Sequence, residues 1–156
     1  MKARRAIAAA AAVAIAATIG VFSAGAASAA TPRPFCVNNS YTCAFPEGGN
    51  PVAMLYAAGD PHIAEWLFNG VNHDGQIQED NTGLCMQLDA NGGYIVIVAA
   101  CNGASYQKWD PYVLNGSVVY ASEWDESQCL TYNEDLERLD TVACTGAWYQ
   151  NFPGTT

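Results

Sequence analysis

The chain has 156 residues, about half of them hydrophobic, and a formal net charge of −9. This length suits one domain with a hydrophobic core of its own. The acidic composition argues against binding to nucleic acid or to an anionic membrane surface, since either would repel the chain.

The first thirty residues have the organisation of an export signal. Three basic residues within the first five positions precede an alanine-rich stretch that runs to about Val21, and Ala27-Ser28-Ala29 fits the A-x-A cleavage pattern. We predict a signal peptide over residues 1–29 and a secreted, extracellular domain over residues 30–156. An uncleaved membrane anchor is the alternative, because the stretch is long enough to span a bilayer. It is less favoured, since alanine is weakly apolar and the far end of the stretch lacks a basic stop.

Removal of this segment makes the remaining chain more acidic, because three of the six basic residues leave with it. The predicted domain keeps three basic residues against fifteen acidic ones, a net charge of −12. Such a charge accounts for solubility, and a basic protein partner is a second interpretation.

Six cysteines all lie in the part predicted to be exported. They are Cys36, Cys43, Cys85, Cys101, Cys129 and Cys144. An even number in an oxidising compartment predicts three disulfides, for which six cysteines allow fifteen pairings. Zinc binding is the alternative use. No Cys-x-x-Cys pair occurs, and neither His62 nor His73 has a ligand-like spacing to a cysteine, so we expect no metal and no other cofactor.

The exported part consists of three similar segments of about 43 residues. An aromatic residue recurs at Trp66, Trp109 and Phe152, and a cysteine recurs at Cys43, Cys85 and Cys129. In the second and third repeats another cysteine follows 16 or 15 residues later. The repeat therefore favours Cys85–Cys101 and Cys129–Cys144 as bridges, which leaves Cys36 to pair with Cys43.

Each repeat is predicted to contain about four short strands. The clearest are at 52–56, 94–98 and 139–143, and the intervening Gly-rich and Asn-Gly segments predict turns. Short helical turns are expected near 61–64 and 103–106. The third repeat ends too soon to supply its own last strand, and residues 34–37 are the expected donor. The prediction is an all-β, closed threefold barrel.

The motifs within the repeats resemble the ricin-B-type β-trefoil lectins. The best match is in the second repeat, with Gly83-Leu84-Cys85-Met86, Cys101-Asn102-Gly103 and Gln107-Lys108-Trp109. The third repeat matches less well, and the first keeps only Cys43 and Trp66. The resemblance implies a β-trefoil fold and carbohydrate binding by a non-catalytic domain.

A sugar pocket of this family has an Asp two residues after the first cysteine of a repeat. It also has an aromatic residue two before the second cysteine and an Asn just before Gln-x-Trp. Here the Asp positions hold Phe45, Gln87 and Thr131, the aromatic positions Tyr56, Ala99 and Val142, and the Asn positions Ile63, Tyr106 and Tyr149. No repeat retains the full set, which predicts a degenerate or non-standard pocket.

Several residues still have the chemistry that sugars require, namely amides for hydroxyl groups and rings for stacking. The candidates for carbohydrate binding are Gln87, Asn102, Tyr106, Tyr56 and Tyr149. The alternative for Tyr106 and Tyr149 is half-buried packing, and Gln107 and Gln150 are expected to tie turns together.

Two tryptophans stand outside the threefold pattern and are candidates for protein contact. Trp124 lies in an acidic segment that is hard to bury, and Trp148 has no aromatic equivalent in the other repeats. Trp124 folded back over the barrel is the alternative. A protein-binding inhibitor or effector is therefore the second functional hypothesis. We predict no enzyme, since no nucleophile with a base partner is recognisable, and a monomer.

Overall fold

The structure is a computed structural model that describes residues 31–46, 51–56, 64–68, 75–89 and 93–153. The predicted signal peptide, both histidines and Ile63 lie outside these residues. Within the described part of the chain, no helix is long and apolar enough to cross a membrane.

The described residues form eleven strands and three single-turn 3-10 helices. The strands are β1 (Arg33–Pro34), β2 (Thr42–Phe45), β3 (Ala53–Tyr56), β4 (Glu65–Phe68), β5 (Ile77–Glu79), β6 (Leu84–Leu88), β7 (Val96–Ala100), β8 (Trp109–Leu114), β9 (Ser117–Ser122), β10 (Gln128–Asn133) and β11 (Arg138–Ala143). The 3-10 helices are Val37–Asn39, Ser105–Gln107 and Trp148–Gln150. The second helix lies near the helical turn expected at 103–106. The expected turn at 61–64 falls almost wholly outside the described residues.

Three hairpins, one from each repeat, meet in a ring. They are β2–β3, β6–β7 and β10–β11, all antiparallel. Single bridges close the ring between repeats: Pro51 with Ile97, Ile95 with Asp140, and Arg138 with Ala53. This arrangement confirms the predicted all-β trefoil of three repeats.

The other strands complete the barrel below the ring. Antiparallel β8 and β9 are joined by Asn115-Gly116, whose φ angles of 50° and 84° are both positive. Positive φ at both central residues is the requirement of a type I′ hairpin turn, which explains the Asn-Gly pair. Antiparallel β4 and β5 form the corresponding pair of the first repeat.

The recurring aromatics form a buried layer of the core. Trp66, Trp109 and Phe152 are at most 1% exposed. The indole N–H of Trp66 donates to the carbonyl oxygen of Ala44 at 3.1 Å, and that of Trp109 donates to Met86 at 3.3 Å. Both acceptors directly follow the first cysteine of their repeat, so the threefold symmetry of the sequence is also a symmetry of hydrogen bonding.

The N-terminal segment packs against the end of the third repeat, but not as the strand that the sequence predicts. The ring of Phe35 stacks on Phe152 with centroids 4.4 Å apart, and the backbone N–H of Asn38 donates to Asn151. Strand β1 itself pairs with β4, in the first repeat. The expected strand over 34–37 is therefore wrong, because an aromatic stack rather than strand pairing joins the chain ends.

Three disulfides are present: Cys36–Cys43, Cys85–Cys101 and Cys129–Cys144. These are the pairs that the repeat favours. The last two each join the strands of one hairpin, β6–β7 or β10–β11, at the open end. They hold the start and the end of that hairpin together, next to the 3-10 turn that follows.

Candidate functional site

The repeat glutamine Gln107 is fully buried and hydrogen-bonded on both sides of its amide. Its Nε2 donates to the carbonyl oxygen of Ala100 at 2.9 Å and to Oε1 of Gln87 at 3.0 Å. Its Oε1 accepts from the backbone N–H of Asn102 at 2.7 Å and from Nε2 of Gln76 at 3.1 Å. The side chain thus ties the turn after Cys101 to the preceding hairpin.

Gln150 does the same in the third repeat. Its Nε2 donates to the hydroxyl of Thr131 and to the carbonyl oxygen of Ala143, both at 3.0 Å. Its Oε1 accepts from the backbone N–H groups of Thr145 at 2.8 Å and Gly146 at 3.1 Å. A buried amide with four partners inside the protein has a structural role rather than a ligand-binding one.

The sugar-binding candidates of the second repeat bond largely to the protein itself. The acceptor oxygen of Gln87 is taken by Gln107. The amide of Asn102 donates to the hydroxyl of Tyr106 at 2.9 Å and accepts from the backbone N–H of Ala104 at 2.9 Å. Tyr106 is half-buried and packs against the core. Gln87 and Asn102 thus meet through Gln107, which bonds to the side chain of the first and to the backbone N–H of the second, and the side chain of Asn102 bonds to Tyr106.

The described part of the first repeat offers an exposed aromatic ring. Tyr56 is 75% exposed and makes an edge-to-face contact with Tyr41, with centroids 6.0 Å apart. Phe45, at the family's Asp position, is half-buried and packs against the core.

The third repeat has a cavity of about 300 Å³ where the family has its sugar pocket. It is lined by Thr131, Tyr132, Asn133, Glu134, Asp140, Val142, Trp148 and Tyr149. All three family positions of this repeat, Thr131, Val142 and Tyr149, are among the lining residues. We call this space the third-repeat cavity.

The polar part of the third-repeat cavity is a network centred on Asp140, which is 8% exposed. Its Oδ1 accepts from Nε of Arg138 at 2.8 Å, and its Oδ2 accepts from Nδ2 of Asn133 at 2.7 Å. Antiparallel pairing places Thr131 opposite Asp140 and Asn133 opposite Arg138, so all four side chains share one face of the β10–β11 hairpin. A carboxylate next to a carboxamide is the pair that accepts and donates hydrogen bonds to vicinal hydroxyls.

The apolar part consists of aromatic rings carried mainly by the last 3-10 helix. This single turn directs Gln150 inward and leaves Trp148 half exposed and Tyr149 half buried. The indole of Trp148 makes edge-to-face contacts with Tyr149 at 5.8 Å and with Tyr132 at 6.4 Å between centroids. The rings support one another, so their exposed faces are held in place before a ligand arrives.

The hydroxyl of Tyr132 stays protonated across the physiological range. Burial raises the pKa of Tyr132, and the negative charges of Glu134 and Glu137 raise it further. The phenol can therefore donate as well as accept a hydrogen bond at the cavity wall.

The two tryptophans that stand outside the repeat pattern have different surroundings. Trp148 belongs to the third-repeat cavity together with Tyr149, although the sequence suggested a protein contact for the first and a sugar contact for the second. Trp124 lies in the β9–β10 turn, is 65% exposed, and is not folded over the barrel.

Sequence comparison with the family pattern missed four residues of the cavity: Tyr132, Asn133, Glu134 and Asp140. A signal was present, since Arg138 and Asp140 flank the apolar Leu139 in a strand and so share the opposite face of that strand. The partner strand that brings Asn133 beside them becomes visible only when the hairpin register is known.

No family model and no curated protein matches the sequence. Solved structures do match. The hemolytic lectin CEL-III superposes with a TM-score of 0.62 at 18% sequence identity over 78% of this chain. The Polyporus squamosus lectin, solved with the epitope Neu5Acα2-6Galβ1-4GlcNAc, superposes with a TM-score of 0.62 at 17% identity over 79% of this chain. A Clostridium perfringens endo-β-galactosidase that releases GlcNAcα1-4Gal gives 0.62 at 10% over 77%.

The chain spans less than half of each of these proteins: 29% of CEL-III, 47% of the Polyporus lectin and 30% of the galactosidase. At such low identities the likeness establishes the fold. The architecture, the disulfides and the superpositions agree, and the chain therefore has the β-trefoil fold of the ricin-B-type lectins.

Proposed function

We propose that the protein is a secreted, non-catalytic carbohydrate-binding module whose site is the third-repeat cavity. The observation that carries the proposal is the juxtaposition of the supported rings of Trp148 and Tyr149 with the Asp140–Asn133 pair. A pyranose needs both parts, since its apolar face stacks on an aromatic ring while its hydroxyls require fixed acceptors and donors.

The proposed pocket differs from the family pattern in which strand carries its carboxylate. Thr131 stands where the family pattern has Asp, and its hydroxyl is occupied by Gln150 and by the carbonyl oxygen of Cys129, to which it donates at 2.8 Å. Asp140, on the opposite strand, supplies the charge instead. A displaced carboxylate favours a sugar orientation different from that of a galactose-type pocket.

Secretion is supported by the export-like N-terminus and by three disulfides, which persist in oxidising compartments. Asp140 accepts hydrogen bonds at both oxygens, from Nδ2 of Asn133 and from Nε of Arg138, so its orientation in the cavity wall is fixed, which suits the binding of a ligand's hydroxyl groups.

A glycan array probed with the purified, disulfide-bonded protein tests the proposal. We expect binding by the wild type and by Trp124→Ala, and a loss of about fivefold to thirtyfold in affinity for Trp148→Ala, because stacking of a sugar on an aromatic ring contributes about 1–2 kcal/mol. The two variants are matched, since each removes one exposed indole. Equal binding by both variants would place the site elsewhere, and a blank array would refute carbohydrate binding.

Binding to an extracellular protein is the second candidate function, favoured by Trp124. Its exposed indole lies in the β9–β10 turn, close in sequence to Glu123, Asp125 and Glu126, and exposed aromatics commonly anchor interfaces. If the array is blank and a protein is recovered that binds the wild type but not Trp124→Ala, this second function is supported.

A further inference from the structure

Carboxylates dominate the rim of the third-repeat cavity. The β10–β11 turn contains Glu134, Asp135 and Glu137, all exposed, and Glu134 is itself a lining residue. Asp140 adds a fourth carboxylate in the wall. The turn that closes the hairpin therefore concentrates negative charge at the mouth of the cavity.

The positive charge of Arg138, beside the cavity, is paired with a carboxylate of the protein. Arg138 directs its guanidinium to Asp140, with Nε to Oδ1 at 2.8 Å and Nη2 to Oδ2 at 3.4 Å. This pair balances the buried carboxylate. Glu134 has neither an ion pair nor a side-chain hydrogen bond within the described part of the chain, so its charge faces the cavity uncompensated.

Two further observations indicate a negative electrostatic potential in the third-repeat cavity. The carboxylates of Glu134 and Glu137 contribute to the raised pKa of Tyr132, after burial. The rings of Tyr132, Trp148 and Tyr149 line the same space, and the faces of aromatic rings attract cations. Rings and an unpaired carboxylate around one cavity form the chemical environment that an organic ammonium group prefers.

Resting on the proposed carbohydrate site, we propose that its ligand is an amino sugar whose amine is free and protonated. The sugar ring stacks on Trp148, the Asp140–Asn133 pair takes its hydroxyls, and the ammonium lies toward Glu134 and the aromatic faces. A uronic or sialic acid is disfavoured, because its carboxylate would approach Glu134, and Arg138, the basic residue beside the cavity among the described residues, is already paired with Asp140. A neutral sugar makes the same stacking contact but forgoes the charge interaction.

Matched oligosaccharides test this charge preference directly. Tetramers of glucosamine and of galactosamine are compared with their N-acetylated counterparts by titration calorimetry. Acetylation replaces the ammonium group with a neutral acetamide and leaves the rest of the sugar unchanged. A uronic acid tetramer is the negatively charged control. We expect the free amines to bind about tenfold more tightly than the acetylated forms, which is the size of a charge interaction over a few ångströms near a protein surface.

The variants separate this charge effect from binding as such. In Glu134→Gln the preference for the free amine should fall to about twofold or less, while affinity for the acetylated sugar is unchanged. Glu126→Gln, which removes an exposed carboxylate outside the cavity lining, should keep the preference. Raising the ionic strength to about 1 M should likewise reduce it, because screening then acts within about 3 Å.

Each contrary result has a distinct meaning. Equal affinity for free and acetylated sugars, or tighter binding of the uronic acid, overturns the amino-sugar inference. If that binding still depends on Trp148, the proposed carbohydrate function stands. Absence of binding to every sugar overturns both.

Discussion

Asp140 lies directly opposite Thr131 across the β10–β11 hairpin, so the carboxylate of the third-repeat cavity comes from the strand that faces the family's Asp position. The hydroxyl of Thr131 is meanwhile held by Gln150 at 3.0 Å. The cavity therefore has a carboxylate in its wall although the family's Asp position holds Thr131, because Asp140 lies on the neighbouring strand.

The charge of Asp140 should be necessary for glycan binding. Asp140→Asn keeps the volume of the side chain but removes the charge, and we expect affinity to fall by about tenfold or more, since a hydrogen bond to a charged group contributes about 1.5–3 kcal/mol. Calorimetry with the best glycan from the array measures the change. Asp110→Asn, which removes an exposed carboxylate on β8 outside the cavity lining, is the matched control and should bind as the wild type does. Unchanged affinity in Asp140→Asn would exclude the carboxylate as a ligand contact.

Gln150 should be required for stability. Gln150→Ala leaves the backbone N–H groups of Thr145 and Gly146 and the carbonyl of Ala143 without their partner, which should lower the free energy of unfolding by about 2–4 kcal/mol. Urea unfolding measures this loss. Gln128→Ala is the control, because the side chain of Gln128 makes one long hydrogen bond of 3.4 Å to Ser127, and it should cost at most about 0.5 kcal/mol. Similar losses for both variants would contradict the structural role of Gln150.

Two equivalent glycines should differ in their tolerance of a side chain. Gly103 and Gly146 have nearly the same positive φ, 71° and 72°, but a Cβ on Gly146 would collide with the carbonyl oxygen of Leu114, whereas a Cβ on Gly103 would meet nothing within 4 Å. Gly103→Ala should therefore lower the free energy of unfolding only by the strain of a non-glycine residue at positive φ, about 1–2 kcal/mol.

Gly146→Ala should cost clearly more, because the turn must also move away from the β8–β9 hairpin. Thermal unfolding of the two variants side by side provides the measurement. A smaller effect at Gly146 than at Gly103 would show that the contact with Leu114 relaxes freely.

Glu79 should make stability depend on pH in the acidic range. Burial alone would raise the pKa of Glu79, but hydrogen bonds from Thr82 and Asn81 outweigh it and hold the pKa below its ordinary value of 4.5. A lowered pKa means that the folded state favours the carboxylate, so the stabilisation is present above about pH 4.5 and is lost as the pH falls through the lower, folded-state pKa.

The matched variant is Glu79→Gln, which cannot ionise. It should be less stable than the wild type at neutral pH, and the difference should shrink as the pH is lowered below about 4.5. Urea unfolding at a series of pH values measures this difference. A gap that stays constant down to about pH 2 would show that the carboxylate charge contributes nothing.

Much of the fold could be predicted because its signals repeat along the chain. The 43-residue spacing of Trp66, Trp109 and Phe152 reflects one core layer built three times, and the spacing of the cysteines reflects one hairpin length. These spacings are visible in the sequence because each repeat needs the same residue type at the same point along its strands. The strand expected over 34–37 was wrong because Phe35 interacts through its ring, and ring stacking leaves no periodic pattern.

The sequence by itself determined the trefoil, its disulfide pairs and the departure from the family's sugar pocket. Tertiary structure decided which polar and aromatic side chains share a cavity in the third repeat. In the second repeat Gln87 bonds to Gln107 and Asn102 bonds to Tyr106, and Ala99 stands where the family pattern has its stacking ring. Asp140, Asn133 and Trp148 come from two strands and a 3-10 turn, and only the register of the hairpin and the packing of the last turn bring them to one cavity. A binding site is a relation between side chains in space, whereas a motif describes their order along the chain.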